Sequence, residues 1–106
     1  MSQPDLAELL ARAQEVQGRL VELQRSLAIR SVEASAGGGM VTAVATGALR
    51  IRELRIEPGL LAGGDREMLQ DLTAAAVNAA LAAAERMVQE ETQRVTGLPL
   101  VQPGGR

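Results

Sequence analysis

Cysteine, histidine, phenylalanine, tyrosine and tryptophan are all missing from this chain, and arginine alone carries its side-chain positive charge. Each absence removes a class of chemistry. Without cysteine there is no disulfide framework, thiol nucleophile or thiolate zinc site. Without histidine the commonest general base and metal ligand is gone. Without aromatic rings there is no platform for stacking single-stranded bases. The core must then be assembled from Leu, Val, Ile, Met and Ala. Alanine buries little area per side chain, so the helices have to approach closely or share a surface with a second chain. The opening "MSQPDLAELL" has no basic flank followed by an apolar run, which leads us to expect a cytosolic protein. The most apolar stretch, "TAAAVNAALAAA", is too short and too weakly hydrophobic to span a bilayer.

What is present is a chain of 106 residues with a formal net charge of −2, enough for one domain with a modest core. That charge counts against simple nucleic-acid binding, because phosphate affinity comes mostly from clustered cations. A whole-chain sum is silent, however, on local patches. From the N-terminus the apolar residues run Leu6, Leu9, Ala13, Val16, Leu20, Leu23, Leu27. Steps of three and four alternate throughout, which is a heptad seam and predicts a long helix from Asp5 to about Ala28 that needs a partner helix. Ser2 or Asp5 with Pro4 can start it, and Glu8–Arg12 and Glu15–Arg19 are i,i+4 pairs in the favourable orientation. Gly18 interrupts its outer face.

After Arg30 the period changes to two, and "SVEASAGGGMVTAVATGALRIRELRIEP" predicts three short strands joined by glycine turns at Gly37–Gly39 and around Gly47. In the second strand Val44 shares a face with Thr42 and Thr46, and Val41 shares the other with Ala43 and Ala45, so the buried face is undecided. In the third, Leu49 and Ile51 fall on one face and Leu54 and Ile56 on the other, unless a residue bulges out near Arg52–Glu53. Pro58 ends the sheet. A linker follows with room for a helical turn at Leu60–Leu61. Gly64 or Asp65 then caps a second long helix from Asp65 to about Val95. Its middle, Ala74 to Ala84, is small and apolar except at Asn78, which fits burial on more than one face. "TGLPLVQPGGR" reads as a frayed tail. The order is α+β: a long N-terminal helix, a three-stranded antiparallel sheet and a long C-terminal helix.

Three consecutive glycines raise the question of a phosphate cradle. A P-loop needs a lysine and a Ser or Thr opening a helix after the glycines; this chain has no lysine, and a strand follows. The dinucleotide fingerprint fails for the same lack of a helix. The triple glycine is therefore a turn. The carboxylates are scattered as helix-surface partners of arginines, and Glu90–Glu91 reads as an exposed acidic helix end more readily than as part of a metal site. No motif supports an enzyme, a cofactor or a small-molecule substrate. Asn78 reads as a buried amide, bonded to backbone or to a partner chain and fixing register, with ligand binding as the remote alternative. Arg12, Arg19, Arg25 and Arg30 have two readings. They pair with Glu8, Glu15 and Glu22 on a solvated face, or they track a phosphate backbone along a projecting helix. Arg50, Arg52 and Arg55 on the third strand are next in line as cations.

The runs "LRIEPGLL" (Leu54 to Leu61), "DREMLQDL" (Asp65 to Leu72) and "TAAAVNAAL" (Thr73 to Leu81), with "LLARAQEVQGRL" and "SAGGGMVTAVATG" upstream, resemble the YbaB/EbfC family of small bacterial nucleoid-associated proteins. The resemblance covers nearly everything except the ends. It implies a homodimer with the αβββα order, residues 1–96 forming one domain and 97–106 a disordered tail. It also implies double-stranded DNA as partner, bound with low sequence specificity and altered in conformation, in nucleoid organisation, gene regulation and DNA protection. No enzymatic activity, cofactor or membrane comes with it. Family members commonly carry several lysines along the first helix, where this sequence has Ala11, Glu15 and Glu22 and keeps a cation at Arg19. The sites expected on this basis are Arg12, Arg19, Arg25 and Arg30 for DNA, and Leu20, Leu23, Ala75, Ala76, Asn78 and Ala79 for the core or dimer. The alternative is a dimeric protein-interaction scaffold of the same fold with little DNA affinity.

Overall fold

The computed structural model describes residues 5–97. The Ser2–Pro4 start and most of the expected tail lie outside the described residues. Helix α1, Leu6–Ile29, begins where Asp5 is extended and its carboxylate accepts the Glu8 backbone N–H at 2.9 Å. That bond satisfies one of the donors a helix start leaves open. Strands β1 (Ser31–Ala36), β2 (Val41–Thr46) and β3 (Ile51–Ile56) form an antiparallel sheet in the order β1-β2-β3. Gly37, Gly38 and Gly39 all have positive φ, at 66°, 67° and 97°, a run that side chains would resist. The triple glycine is a turn because of this backbone path.

The pairing of β2 with β3 slips once: Val44 faces Glu53, but Ala45 faces Ile51. Arg52 is left over as a bulge, within the Arg52–Glu53 window that the phase of the sequence requires. Its effect is to bring Ile51, Leu54 and Ile56 onto one face of the sheet, opposite Ala45, Ala43 and Val41. The second hairpin closes with Leu49 donating to the Thr46 carbonyl at 2.9 Å and Ala48 donating to Thr46 Oγ1 at 3.2 Å. Its left-handed corner is Leu49, φ 61°, and not the glycine.

A short helix α2, Pro58–Ala62, buries Leu60, and α3, Arg66–Thr96, follows. Asp65 caps α3 by accepting the Met68 N–H at 3.0 Å. Ala76, Ala80 and Ala84 recur every fourth residue on one helix stripe and are fully buried, as are Val41, Ala43 and Ala45 on the sheet. Small side chains on both surfaces bring helix and sheet close together. Helix α3 lies over β1 and β2 and barely touches β3. The undecided face of β2 has a simple resolution, because both faces are covered. Val41, Ala43 and Ala45 meet α3, and Val44, also buried, lies on the other side between Glu33 and Glu53 in the register. Arg55 bridges those two carboxylates at 3.0 and 2.7 Å, spanning Val44.

The shape is far from spherical. The Cα radius of gyration is 20.0 Å, against about 13 Å for a compact domain of this length. The extents are 73 × 31 × 15 Å, and the two long helices have 24 and 31 residues.

Candidate nucleic-acid interface

Helix α1 joins the body only at its C-terminal end. Leu27 is 2 % exposed, Leu23 and Leu20 are half-buried, and the seam then opens through Val16 and Leu9 to Leu6, which is 71 % exposed. The root packs on α3, where Arg30 meets Glu91 at 3.8 Å, and on the β2–β3 hairpin, where Gly47 donates to the Leu27 carbonyl at 3.0 Å. Twenty-four residues make a helix about 36 Å long. Its N-terminal half is therefore a projecting arm with an uncovered apolar edge.

All four arginines singled out in the sequence lie on this helix or at its root, and all four are ion-paired. Arg12 meets Glu8 at 3.9 Å, Arg19 meets Glu15 at 3.1 Å and Arg25 meets Glu22 at 3.1 Å. These three pairs are mostly solvent-exposed and each is worth only about 0.3–0.5 kcal/mol. Such pairs leave the guanidinium groups available to a stronger anion. Arg30 is tied to Glu91, which also holds Arg94 at 3.1 Å. Glu90–Glu91 is thus partly engaged at the root of the arm. Among the described residues no group of three His, Cys, Asp or Glu side chains could hold a metal ion.

Of the three arginines expected on the third strand, Arg50 falls just before β3 and Arg52 and Arg55 lie within it, and they separate into two kinds. Arg55 is committed to Glu53 and Glu33, whose hydrogen bonds raise its already high pKa. Arg50 and Arg52 make no ion pair with any described residue, and neither do Arg66 and Arg86. The bulge residue Arg52 borders a cleft with Ala28 and Ile29 at the end of α1. Free cations therefore stand beside the arm's root. The one trace of this in the sequence is the phase slip that marks the bulge.

A second surface lies under β3. Because α3 sits over the other two strands, the inner face of β3 stays open, with Ile51 and Leu54 exposed. Between Ile56 and the flank of α3 runs a groove of about 550 Å³, lined further by Leu69, Thr73, Ala74, Val77 and Asn78. Of the residues expected at a core or dimer contact, Ala76 is buried under the sheet, while Asn78 stands exposed on this groove. Ala75 and Ala79 are exposed and do not line it. Within a single chain, then, Asn78 is not enclosed; the amide faces an apolar trough.

Comparison with known proteins supplies the context. The profile of the YbaB/EbfC DNA-binding family matches residues 1–98. A protein of Acetivibrio thermocellus named "Nucleoid-associated protein" is 46% identical over 93 residues, covering 88% of this chain and 82% of that one. One of Saccharopolyspora erythraea with the same name is 39% identical over 95 residues, covering 90% and 82%. The crystal structure of the uncharacterized protein HP0035 from Helicobacter pylori superposes with a TM-score of 0.75. It covers 90% of this chain and 100% of its own at 22% identity, a likeness of fold.

Proposed function

The chain belongs to the YbaB/EbfC DNA-binding family, and from that premise we propose that it binds duplex DNA in the nucleoid as a homodimer whose projecting α1 arms carry the phosphate contacts. The observation that carries this reading is the arm itself. Arg12 and Arg19 sit one heptad apart on a helix standing clear of the body, held only by weak exposed pairs. A phosphate oxygen competes well with a solvent-screened carboxylate for such a guanidinium. Contacts of this kind position a protein on the backbone and read few bases, so binding has low sequence specificity.

The second copy is called for by apolar surface. The groove beside Ile56, the open inner face of β3 and the α1 seam leave a chain of this size with more uncovered apolar area than monomers ordinarily carry. A symmetric partner seated on β3 and the α3 flank covers that area and presents a pair of arms to one duplex. Holding DNA at two places alters its path, which accounts for roles in nucleoid organisation, DNA protection and gene expression. The described residues contain no helix long and apolar enough to cross a membrane, and a cytoplasmic, nucleoid-associated location follows from the proposed partner.

The test is a titration against duplex DNA at several salt concentrations. Each phosphate contact adds roughly 0.9 to the slope of log affinity against log salt. Arg12→Ala with Arg19→Ala flattens the slope by about two units if one arm is engaged, and by about twice that if both are. Glu15→Lys with Glu22→Lys strengthens binding and leaves the fold intact. Unchanged affinity in both double variants moves the site to Arg50 and Arg52 at the arm's root. The parent's failure to bind even at low salt favours the protein-interaction scaffold, a reading supported by the carboxylate facing each arginine of the arm.

A further inference from the structure

Where α1 meets the β2–β3 hairpin, the hydrogen bonds run from backbone to backbone. The Gly47 N–H donates to the carbonyl of Leu27 at 3.0 Å and to that of Arg30 at 3.1 Å, and the Arg30 N–H returns to the Leu27 carbonyl at 3.2 Å. A Cβ at position 47 would lie 2.2 Å from the Leu27 oxygen and 2.7 Å from its carbonyl carbon. Both atoms belong to the main chain of a helix and cannot be turned aside like the end of a side chain. The turn itself does not ask for this glycine, since the left-handed position of the hairpin is Leu49. What position 47 requires is clearance, and the clearance is for α1.

We propose that Gly47 is a positioning residue: by letting the β2–β3 hairpin touch the main chain of α1 at Leu27, it fixes the angle at which the arm leaves the body. The consequence is amplified by leverage. Leu27 stands 21 residues from Leu6, about 31 Å along the helix. To relieve a Cβ placed 2.2 Å from Leu27 O, that end of α1 must retreat by about 1 Å toward ordinary contact. If the helix pivots about the half-buried Leu23, one turn away, the tilt is about 10° and the N-terminal end, about 25 Å from the pivot, moves by about 4 Å. In a dimer the two arms move by symmetry, and the span offered to a duplex changes by a comparable amount. The angle is a property of the chain alone; its effect on DNA rests on the reading given above.

The chain has no cysteine, so spin labels can be placed at will. A chain labelled at Ala11→Cys on the arm and at the exposed Asp71→Cys on α3, diluted into unlabelled protein, reports the intrachain arm-to-body distance by pulsed electron resonance. Gly47→Ala should shift or broaden that distance by several ångströms with helix content unchanged, and weaken duplex binding several-fold. Gly59→Ala, in α2 with open space around it and no left-handed backbone, should leave the distance as in the parent. If Gly47→Ala does not fold, the parent's own distribution decides, since a main-chain contact that fixes the arm gives a narrow distance. A folded Gly47→Ala whose distance matches the parent overturns the proposal, as does a broad distribution in the parent itself. A shifted arm with unchanged DNA affinity overturns the link to binding. A parent protein that ignores duplex at low salt refutes the DNA reading instead, and the distance measurement still decides the joint.

Discussion

Replacing Leu54 by aspartate isolates the contact proposed between copies. Leu54 lies on the inner face of β3, where α3 leaves the sheet open, and is 40 % exposed in the single chain. Burying a whole leucine is worth about 1.5–3 kcal/mol. Covering the remaining 40 % therefore contributes about 0.6–1.2 kcal/mol per chain, or about 1–2.5 kcal/mol in a symmetric pair. Leu54→Ala should lose most of that. Leu54→Asp also places an unpaired carboxylate on each side of the contact, which costs several kcal/mol more. A total above about 3 kcal/mol weakens the dimer by more than about 100-fold. The isolated chain tolerates the change, because the side chain already meets solvent there. Sedimentation across a concentration series should show the parent as a dimer at micromolar concentration, Leu54→Ala as a weaker one and Leu54→Asp as a monomer, with far-ultraviolet dichroism alike in all three. If Leu54→Asp sediments like the parent at every concentration, β3 is not the contact.

Asn78, on the same groove, tests how that contact is registered. Asn78→Leu should keep helix content and broaden the oligomer distribution in light scattering, whereas Asn78→Asp should lower the melting temperature by burying a charge. If both match the parent, the amide stays in solvent in the dimer as well. Ala80→Leu attacks the core from within. Ala80 is fully buried among Val41, Ala43 and Ala45, so the extra atoms should destabilise by about 1–3 kcal/mol or more, read as a lower urea midpoint. An unchanged midpoint would mean that helix and sheet are not in close contact there.

Most of the fold was legible because its signals are local. The seam from Leu6 to Leu27, the change of period after Arg30, the Asp65 cap and the phase slip in the third strand each follow from residues near one another in the chain. The structure puts α1, the bulge and α3 where those signals placed them, with ends shifted by a residue. The buried face of β2 was not legible because alternation assumes one wet side. Here the second side is closed over Val44 by an arginine from the neighbouring strand, which hydropathy does not register. Gly47 is legible as a turn residue and lies in the turn, but the sequence gives no hint that a helix 20 positions earlier returns to touch it. The arginines of α1 were legible as residues and as pairs with their own acids. The free state of Arg50 and Arg52 depends on which strands neighbour them, and so needed the fold.

The alanine layer between α3 and the sheet has a mechanical consequence. A large side chain locks a helix in place by filling one hole. The stripe Ala76, Ala80, Ala84 presents instead nearly identical steps to the nearly identical surface of Val41, Ala43 and Ala45. Moving α3 along its axis by one such step, about 6 Å, sets alanine against the same strand residues again. The stripe by itself therefore grips the helix against lifting more than against sliding, and alignment falls to the larger side chains beside it, Leu69, Leu72, Val77 and Leu81, which pack on the same layer. Further stops lie toward the ends. Leu72 lies against Gly37, where a Cβ would come within 2.7 Å of its Cδ1, and Glu91 is tied to Arg30. Close approach thus comes from the alanines and alignment from the larger residues around them, two jobs held by different side chains of one helix.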